Sequence, residues 1–361
     1  MIRALPLILV LLAPMCRTLA LAQSPTRAGC GAAGGVFVPG RGGGTCKAAE
    51  TSVDPWRPAA PKLPAAPVLA NPGTFATTRS LGSGSTIRNM AFNGLSSVTR
   101  PRGVNAGVTI QDVQTTGSSH LIRTYTAGDS MPNVTVRRVA MIDNGPGGLR
   151  FRGASSGTIA DVTIAATRPN TDCSKVPEGI ALAGKGATDV GGPWTISRVR
   201  ITGIKTVGCS FLNGDGLAIE RGYRDIVVTD AYFGFNSDAG ADVKSPTARL
   251  DRVVSEGNRR NYKFWASQDH GTLTSIDPGQ PGSGAPAHIQ LQGNRAVTRT
   301  MHIARLIVRS TNTTPIFQIE NGAWDVTVDA CDIAVPAGTK MLAGAQALVR
   351  ASRLTLGIGC R

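Results

Sequence analysis

A short pattern of apolar and polar positions recurs along the chain from residue 80 onward. One apolar residue is followed by two mostly polar residues and a second apolar residue, beginning at residues 87, 110, 136, 159, 196, 228, 250, 273, 303 and 328. The spacing is about 23 residues with insertions, and a fixed period of this size is typical of a solenoid, in which each repeat packs only on its neighbours.

Each repeat also contains a second short segment, such as LRFR at 149–152, LAIE at 217–220 and ADVK at 241–244. The segments are short, rich in β-branched residues and separated by Gly and Asn. Helical repeats would need longer stretches with a 3.6-residue period, and these are missing. The pattern predicts an all-β, single-stranded parallel β-helix of about ten coils.

The second segments predict which side chains face outward, because neighbouring side chains on a strand point to opposite faces. The predicted internal column is Phe151, Leu182, Ile219, Val243, Phe264, Leu291 and Ile319. One outward row is Arg150, Ala181, Ala218, Asp242, Lys263, Gln290 and Gln318. The other outward row is Arg152, Ala183, Glu220, Lys244, Trp265, Gln292 and Glu320.

The coil period and strand pattern over residues 80–360 resemble the right-handed parallel β-helix superfamily typified by pectate lyases. That superfamily also includes polygalacturonase-like hydrolases, alginate lyases and mannuronan C5-epimerases. The resemblance implies right-handed coils and cleavage of an acidic, uronate-containing polysaccharide by β-elimination. Hydrolysis, epimerisation and a non-catalytic carbohydrate-binding or cell-envelope role are the alternatives. The hydrolase signature of two adjacent aspartates followed by a Gly-His-Gly coil is absent from the sequence.

Four charged residues on three consecutive predicted coils are the candidate catalytic groups: Glu220, Asp242, Lys244 and Lys263. Elimination from a uronic acid needs a cation beside the carboxylate and a base, and either lysine can be that base if its pKa is lowered. Hydrolysis needs two carboxyl groups at a defined separation. The competing interpretation is a ladder of ion pairs, Glu220 with Lys244 and Asp242 with Lys263, which has no catalytic role.

The candidate substrate-binding residues surround this group and are Trp265, Arg150, Arg152, Arg259, Arg260, Gln290 and Gln292. Trp265 can stack on a sugar ring, or it can be covered by the segment 266–288. The arginines can bind carboxylate or sulfate groups. The loops 168–178 and 205–214 are predicted to form one wall of a groove, and the segment 266–288 is predicted to add another.

Two segments open with Asn-x-Asp, NGDGLAIE at 213–220 and NSDAGADVK at 236–244. They are interpreted as one repeat seen twice, in which the Asn-x-Asp triplets are turns that begin successive strands. This interpretation removes Asp215 and Asp238 from the leading catalytic candidates. No metal or other cofactor is predicted, and a Ca²⁺ ion at these turns is the alternative.

The chain is predicted to consist of three parts. Residues 1–22 combine an early Arg, an apolar run and a small-residue end at Ala20-Leu21-Ala22, as in a secretory signal peptide. Residues 23–80 are a Gly- and Pro-rich lead-in and linker, and residues 81–361 are the β-helix domain. We expect a secreted or periplasmic protein, and no other segment is long and apolar enough to span a bilayer.

Six cysteines remain after removal of the signal peptide: Cys30, Cys46, Cys173, Cys209, Cys331 and Cys360. An even number of cysteines in an exported chain predicts disulfides. Cys173 and Cys209 lie at matching positions after their repeat anchors, so a bridge between neighbouring coils is expected. Cys30–Cys46 would then close the lead-in, and Cys331–Cys360 follows partly by elimination.

The net charge of the chain indicates the kind of partner that the protein binds. The formal net charge is +15, and removal of Arg3 and Arg17 with the signal peptide leaves +13. A basic exported protein favours a polyanionic partner, here an acidic polysaccharide. Nucleic acid is not expected, because aromatic residues make up only 5% of the chain, and neither a membrane partner nor an oligomer is predicted.

Overall fold

The computed structural model describes residues 35–38, 45–48, 62–70, 73–145, 147–184, 186, 188–282, 284–294 and 296–360. The chain divides into two compact units, Met1–Val53 and Asp54–Arg361. In the first unit, strands β1 (Gly35–Val38) and β2 (Thr45–Ala48) form an antiparallel pair. The predicted signal peptide and the side chains of the predicted Cys30–Cys46 bridge lie outside the described residues.

The second unit contains two long parallel sheets. The first has twelve strands: β3 (Gly73–Phe75), β4 (Thr86–Asn93), β5 (Thr109–Thr116), β7 (Val134–Asn144), β9 (Gly157–Ala166), β11 (Trp194–Thr202), β13 (Ile226–Gly234), β15 (Ala248–Glu256), β17 (Gln268–Ile276), β19 (Arg299–Arg309), β21 (Trp324–Ala334) and β23 (Arg353–Ile358).

The second sheet has nine strands: β6 (Ile122–Arg123), β8 (Leu149–Phe151), β10 (Glu178–Leu182), β12 (Asp215–Ile219), β14 (Ala239–Val243), β16 (Arg260–Phe264), β18 (Ala287–Gln292), β20 (Phe317–Asn321) and β22 (Leu342–Gly344). One short helix, α1 (Gln346–Arg350), lies between β22 and β23. From β6 onward the chain alternates between the sheets, so each coil adds one strand to each. The predicted all-β, right-handed parallel β-helix is confirmed.

The predicted faces of the nine-stranded sheet are also confirmed by its register. Residues of the predicted internal column stack on one another and are almost fully buried. Ala218, Asp242, Lys263 and Gln290 likewise stack in the first outward row. The second outward row is wrong at its end, because a bulge after Leu291 pairs Gln292 with Asn321 rather than with Glu320.

The repeated apolar-x-x-apolar pattern has a structural cause in the twelve-stranded sheet. The residue before the second apolar position has a positive φ of 48° to 56° in seven strands. These residues, here named the corner ladder, are Asn89, Asp112, Arg138, Asp161, Arg198, Asp230 and Arg252. Because a left-handed residue turns the strand, inward side chains such as Ile110 and Val113 lie three positions apart instead of two.

Aspartate and arginine alternate along most of the corner ladder and form bidentate ion pairs. Arg138 donates to both carboxylate oxygens of Asp112 at 2.6 and 2.8 Å. Arg198 donates to both oxygens of Asp161 at 2.7 and 2.8 Å. The left-handed conformation costs a residue other than Gly about 1–2 kcal/mol, and we infer that these hydrogen bonds offset that cost. The Arg138 hydrogen bonds hold the pKa of Asp112 well below its usual range.

The Pro-rich segment 62–70 lies along the corner ladder. The N–H groups of Ala65, Val68 and Ala70 donate to Asp161, Asp112 and Asn89 at 3.2, 3.1 and 3.0 Å. Five residues of polyproline II chain span about 15 Å, and the three coil spacings from Asn89 to Asp161 span about 14 Å. This agreement lets an extended segment cross the strands and hydrogen-bond to corner residues on several coils.

One predicted repeat anchor is wrong. The sequence pattern places an anchor at Leu273, but His270 occupies the equivalent position, since it pairs with Ile303 of the next coil. His270 is fully buried, stacks on Phe264 at 4.4 Å between ring centroids, and accepts the N–H of Leu250. Burial lowers the pKa of His270 to about 3, so the ring is neutral. A polar residue at a core position hid this repeat.

Two of the three predicted disulfides are present among the described residues. Cys173–Cys209 joins the loops before β10 and β12, with Cα atoms 5.5 Å apart. Cys331–Cys360 joins β21 to the residues after β23, with Cα atoms 4.6 Å apart. Both pairings confirm the sequence prediction. No helix among the described residues is long and apolar enough to cross a membrane.

Replacing Asp112 by Ala is expected to lower the free energy of unfolding by about 2–4 kcal/mol. The change leaves Arg138 and the Val68 N–H without their acceptor. Because the folded pKa of Asp112 is depressed, its stabilisation is present above its unfolded pKa, about 3.9, and is lost as the pH falls through the folded value. Denaturant unfolding at several pH values measures both effects.

The matched control is Asp325→Ala, which removes an exposed ion pair with Arg353 of 3.2 Å. A change of no more than about 0.5 kcal/mol is expected there. Equal losses in the two variants would show that the corner ladder contributes no special stability.

Candidate functional site

A buried group of charges lies on the outer face of the nine-stranded sheet. Lys263 Nζ lies 3.1 Å from Asp238 Oδ2 and 3.2 Å from Asp242 Oδ2. Arg260 donates to the other oxygen of Asp238. Asp215, the first residue of β12, receives the Ala239 N–H at 2.8 Å. We name Asp215, Asp238, Asp242, Arg260 and Lys263 the acid cluster.

Asp215 differs electrostatically from an ordinary surface carboxyl. Burial raises its pKa well above the usual value, and the negative charges of Asp238 and Asp242 raise it further. Lys263 opposes this shift but does not cancel it. The protonated form is therefore more favoured at Asp215 than at an exposed aspartate, and Asp215 lies next to two aspartates that are held in ion pairs.

The lysines do not meet the condition for a general base. Burial alone would lower the pKa of Lys263, but the charges of Asp242, Asp238 and Asp215 outweigh burial and raise it. The pKa of Lys244 is also raised, because Asp242 and Glu220 outweigh its burial. Both side chains are therefore fixed cations, and the expectation of a lysine with lowered pKa is not met.

The four predicted catalytic residues lie together. Lys244 donates to Glu220, and its Nζ lies 3.8 Å from Asp242 Oδ2. Asp242 in turn contacts Lys263. Both ion pairs of the competing ladder interpretation therefore exist, and they are continuous with the acid cluster.

Trp265 covers part of this group. Its Nε1–H donates to Asp242 Oδ1 at 2.6 Å. Lys244 and Lys263 lie 5.4 and 5.8 Å from the ring centroid, and Arg221 lies 5.9 Å away. The indole is half-buried, and its contacts hold it beside Asp242.

The predicted walls lie at one edge of the sheet rather than at two. The loops 167–177, 203–214 and 277–286 each lead into the first residue of a strand of the nine-stranded sheet. The segment 266–288 contains β17 and the start of β18, so the loop that leads into the nine-stranded sheet is 277–286. Parallel strands begin at the same edge, and all three loops therefore line it.

The predicted binding arginines at 259 and 260 contact the last of these loops. Arg259 donates to the carbonyls of Gln280 and Gly284 at 3.0 and 3.1 Å. Arg260 donates to the Ala285 carbonyl at 3.1 Å. Both side chains therefore hold the loop against the acid cluster.

The remaining predicted binding residues have protein partners. Arg150 pairs with Glu178 at 2.5 Å, and Arg152 donates to Asp189. Gln290 and Gln292 both donate to Glu320, the latter at 2.7 Å.

Sequence reasoning missed that Asp215 and Asp238 lie together in one buried cluster. The two Asn-x-Asp triplets are 23 residues apart, but the strands align with a shift of 24, as Leu217 pairs with Ala241. Asp238 therefore donates its N–H to the Gly214 carbonyl, and Asp215 lies diagonal to it. The triplets are not one repeat in register, and this offset brings both carboxyl groups into one cluster.

The described residues contain no group of three or more His, Cys, Asp or Glu side chains placed to hold a metal ion. In the acid cluster, Lys263 lies between Asp238 and Asp242. A separate groove of about 610 Å³ lies on the twelve-stranded sheet and is lined in part by Asp269, His302 and Asp329.

Comparisons with known proteins give a limited result. No protein family model and no curated protein matches the chain. Among solved structures, the chain is similar to the crystal structure of the Dettilon tailspike protein, with 10% sequence identity and a TM-score of 0.30. The match covers 78% of this chain and 60% of the tailspike chain, which is less than two thirds of its length.

Lys263→Met is expected to lower the free energy of unfolding by about 3–5 kcal/mol, because it leaves Asp238 and Asp242 buried with less compensating charge. The control Lys175→Met removes an exposed ion pair with Asp172 and is expected to cost no more than about 0.5 kcal/mol. Denaturant unfolding of both variants measures the difference. A loss at Lys263 as small as that at Lys175 would contradict the electrostatic account.

Asp215→Asn is expected to stabilise the protein relative to the wild type as the pH rises. The folded pKa of Asp215 is raised, so its contribution is fully present below the unfolded pKa, about 3.9, and is lost as the pH rises through the folded value. The difference between the two unfolding free energies should grow from pH 4 upward. A difference that does not change with pH would show that Asp215 titrates normally.

Proposed function

We propose that this protein hydrolyses a polysaccharide at the acid cluster. The carrying observation is that a carboxyl with a strongly raised pKa, Asp215, lies beside two carboxylates held by Lys263. Glycoside hydrolysis needs this division of roles between one protonated and one ionised carboxyl group.

In the proposed reaction Asp215 donates its proton to the leaving glycosidic oxygen. Asp238 or Asp242 acts on the opposite side of the sugar, as a base toward water or as a nucleophile. Lys263 and Arg260 hold these carboxylates in place through their ion pairs. The proton lost by Asp215 is restored from the attacking water by the end of the cycle.

β-Elimination, the reaction expected from the sequence, is less well supported. It needs a base that removes a C–H proton next to a uronate carboxylate, and the lysines assigned to that role have raised pKa values. A lysine that stays protonated can neutralise a substrate carboxylate but cannot accept the proton.

The outer face of the sheet also fits a linear polymer. Its outward rows run across stacked coils about 4.8 Å apart, a distance similar to the length of one sugar residue in an extended chain. The three loops at the strand-initial edge border this surface on one side. We therefore include an extended, acidic polysaccharide substrate and export of the protein in the proposal, the latter supported by the two disulfides.

Access to the acid cluster requires movement in this proposal. Asp215, Asp238 and Asp242 are each no more than 4% exposed. Trp265 lies against Asp242, to which it donates a hydrogen bond. The loop 277–286 is held beside the acid cluster by hydrogen bonds from Arg259 and Arg260. To reach the acid cluster, substrate would move Trp265 or this loop aside. Loops that open and close over the active site are common in enzymes.

The same burial favours a second candidate function, a non-catalytic carbohydrate-binding or cell-envelope β-helix. In that case the ion pairs of the acid cluster only satisfy buried charges. The two functions differ in whether Asp215 and Asp242 affect turnover.

The test is incubation of the purified protein with a panel of neutral and uronate-containing polysaccharides. Hydrolysis predicts new reducing ends without the absorbance of an unsaturated uronate, and elimination predicts both. Asp215→Asn and Asp242→Asn are expected to lower kcat by at least about 100-fold. The control Asp325→Asn, at the exposed pair with Arg353, should keep full activity.

No turnover with any polymer, while binding persists, would favour the non-catalytic function. Unsaturated products would overturn hydrolysis in favour of elimination.

A further inference from the structure

A second charged feature lies on the same outer face, nearer to the N-terminal coils. Backbone bridges stack Thr99 on Ile122, and Ile122 stacks on Leu149. One residue further along each coil are Arg100, Arg123 and Arg150, which continue the outward row that holds Asp242 and Lys263. Three arginines therefore occupy consecutive coils, about 4.8 Å apart.

Two more arginines, Arg102 and Arg152, lie with Arg123 around Tyr125. The Arg102 and Arg123 guanidinium groups lie 4.6 and 4.9 Å from the centroid of its ring. Arg152 Nη1 donates to the Tyr125 carbonyl at 3.0 Å. We name Arg100, Arg102, Arg123, Arg150 and Arg152, with Tyr125, the arginine patch.

The arginine patch has more cations than anions. Glu178 pairs with Arg150, Asp189 pairs with Arg152, and Asp129 lies 3.4 Å from Arg102. Within the described part of the chain, Arg100 and Arg123 form no ion pair with a carboxylate.

The contact of Asp129 with Arg102 is the weakest of these pairs. Asp129 accepts N–H groups of Gly103, Tyr125 and Thr126 at 3.0, 3.2 and 3.0 Å. Its carboxylate is therefore already satisfied by backbone donors, and Arg102 is 64% exposed. This guanidinium remains available to a ligand.

A neighbouring histidine responds to the excess positive charge. Burial lowers the pKa of His120 to about 3, and the charges of Arg123, Arg150 and Arg100 lower it further. His120 therefore stays neutral and adds no charge to the patch. The effect is consistent with a positive potential at this end of the face.

We propose that the arginine patch is an anion-binding subsite for a carboxylate or sulfate group of an extended polysaccharide. A guanidinium group can donate two parallel hydrogen bonds to a pair of oxygens of a carboxylate or a sulfate group. Arg100 and Arg123, which have no carboxylate partner among the described residues, supply the charge, and Tyr125 supplies an aromatic surface between Arg102 and Arg123.

The position of the subsite predicts a spacing along the ligand. Arg123 lies four coils from Asp242 in the same row, which is about 19 Å. In the acid cluster Lys263 and Arg260 already pair with protein carboxylates. The acid cluster therefore does not require an anionic group on the sugar that it binds. The recognised group therefore lies about four sugar residues from the bond at the acid cluster, if each residue spans one coil.

The spacing rests on the proposed hydrolysis, but the anion subsite itself does not. The test therefore measures binding and not turnover, with the protein carrying Asp242→Asn to prevent cleavage. Its ligands are polygalacturonate, alginate and dextran sulfate, with dextran as the neutral polymer and single-stranded DNA as a polyanion without sugar carboxylate or sulfate groups. Affinity is measured at 50 and 200 mM salt.

Arg100→Gln together with Arg123→Gln is expected to weaken binding of at least one anionic polymer by roughly tenfold at the lower salt concentration. The matched control is Arg200→Gln, since Arg200 also stacks on a tyrosine, Tyr232, at 4.1 Å. It lies on the twelve-stranded sheet, and its loss is expected to leave the affinity unchanged. Unchanged unfolding midpoints show that both proteins are folded.

Equal losses in the two variants, or binding of dextran as tight as that of the anionic polymers, would overturn the subsite. No Arg-dependent binding to any of the three anionic polymers would overturn it as well. Single-stranded DNA bound with the same dependence on Arg100 and Arg123 would overturn the assignment to polysaccharide. Absence of turnover in the wild-type protein, with this Arg-dependent binding present, would reject only the proposed hydrolysis.

Discussion

The stacking of one coil on the next is the constraint on which the structure depends. Parallel strands are joined by backbone hydrogen bonds at a spacing of about 4.8 Å, so each side chain lies above its equivalent in the previous coil. A charge on an outward row therefore meets whatever residue occupies that row on the next coil. Like charges at neighbouring positions destabilise the sheet, and opposite charges form ladders.

The corner ladder and the acid cluster are two outcomes of this constraint. In the corner ladder, aspartate and arginine alternate, and Asp112 and Asp161 each have an arginine partner. In the acid cluster, Asp238 and Asp242 form the ion pairs with Arg260 and Lys263, and Asp215 lies buried beside them. Burial, and then the negative charges of Asp238 and Asp242, raise the pKa of Asp215, whereas the hydrogen bond from Arg138 lowers that of Asp112. The same stacking thus gives a structural ladder of ion pairs at one corner of the coils and the candidate functional site on the outer face of the nine-stranded sheet.

The outer face of the nine-stranded sheet also changes character along the coil axis. Its first outward row begins with arginines, passes Ala181 and Ala218, reaches Asp242 and Lys263, and ends with Gln290 and Gln318. A ligand that lies across the strands would meet these regions in sequence. The proposed hydrolysis and the proposed anion subsite are therefore two positions along one extended surface.

The sequence by itself determined the coil period, the internal column and the first outward row, because alternation and stacking are local and repetitive. The Cys173–Cys209 pairing followed from the same period. The sequence pattern misplaced one repeat anchor at Leu273, since His270 occupies a core position where an apolar residue was expected. It also set aside Asp215 and Asp238, since a shift of one residue between the Asn-x-Asp triplets cannot be seen in the letters. Only the tertiary structure decided that these carboxyl groups lie in one buried cluster with Lys263, because burial and the distance between charges depend on register across coils rather than on spacing along one.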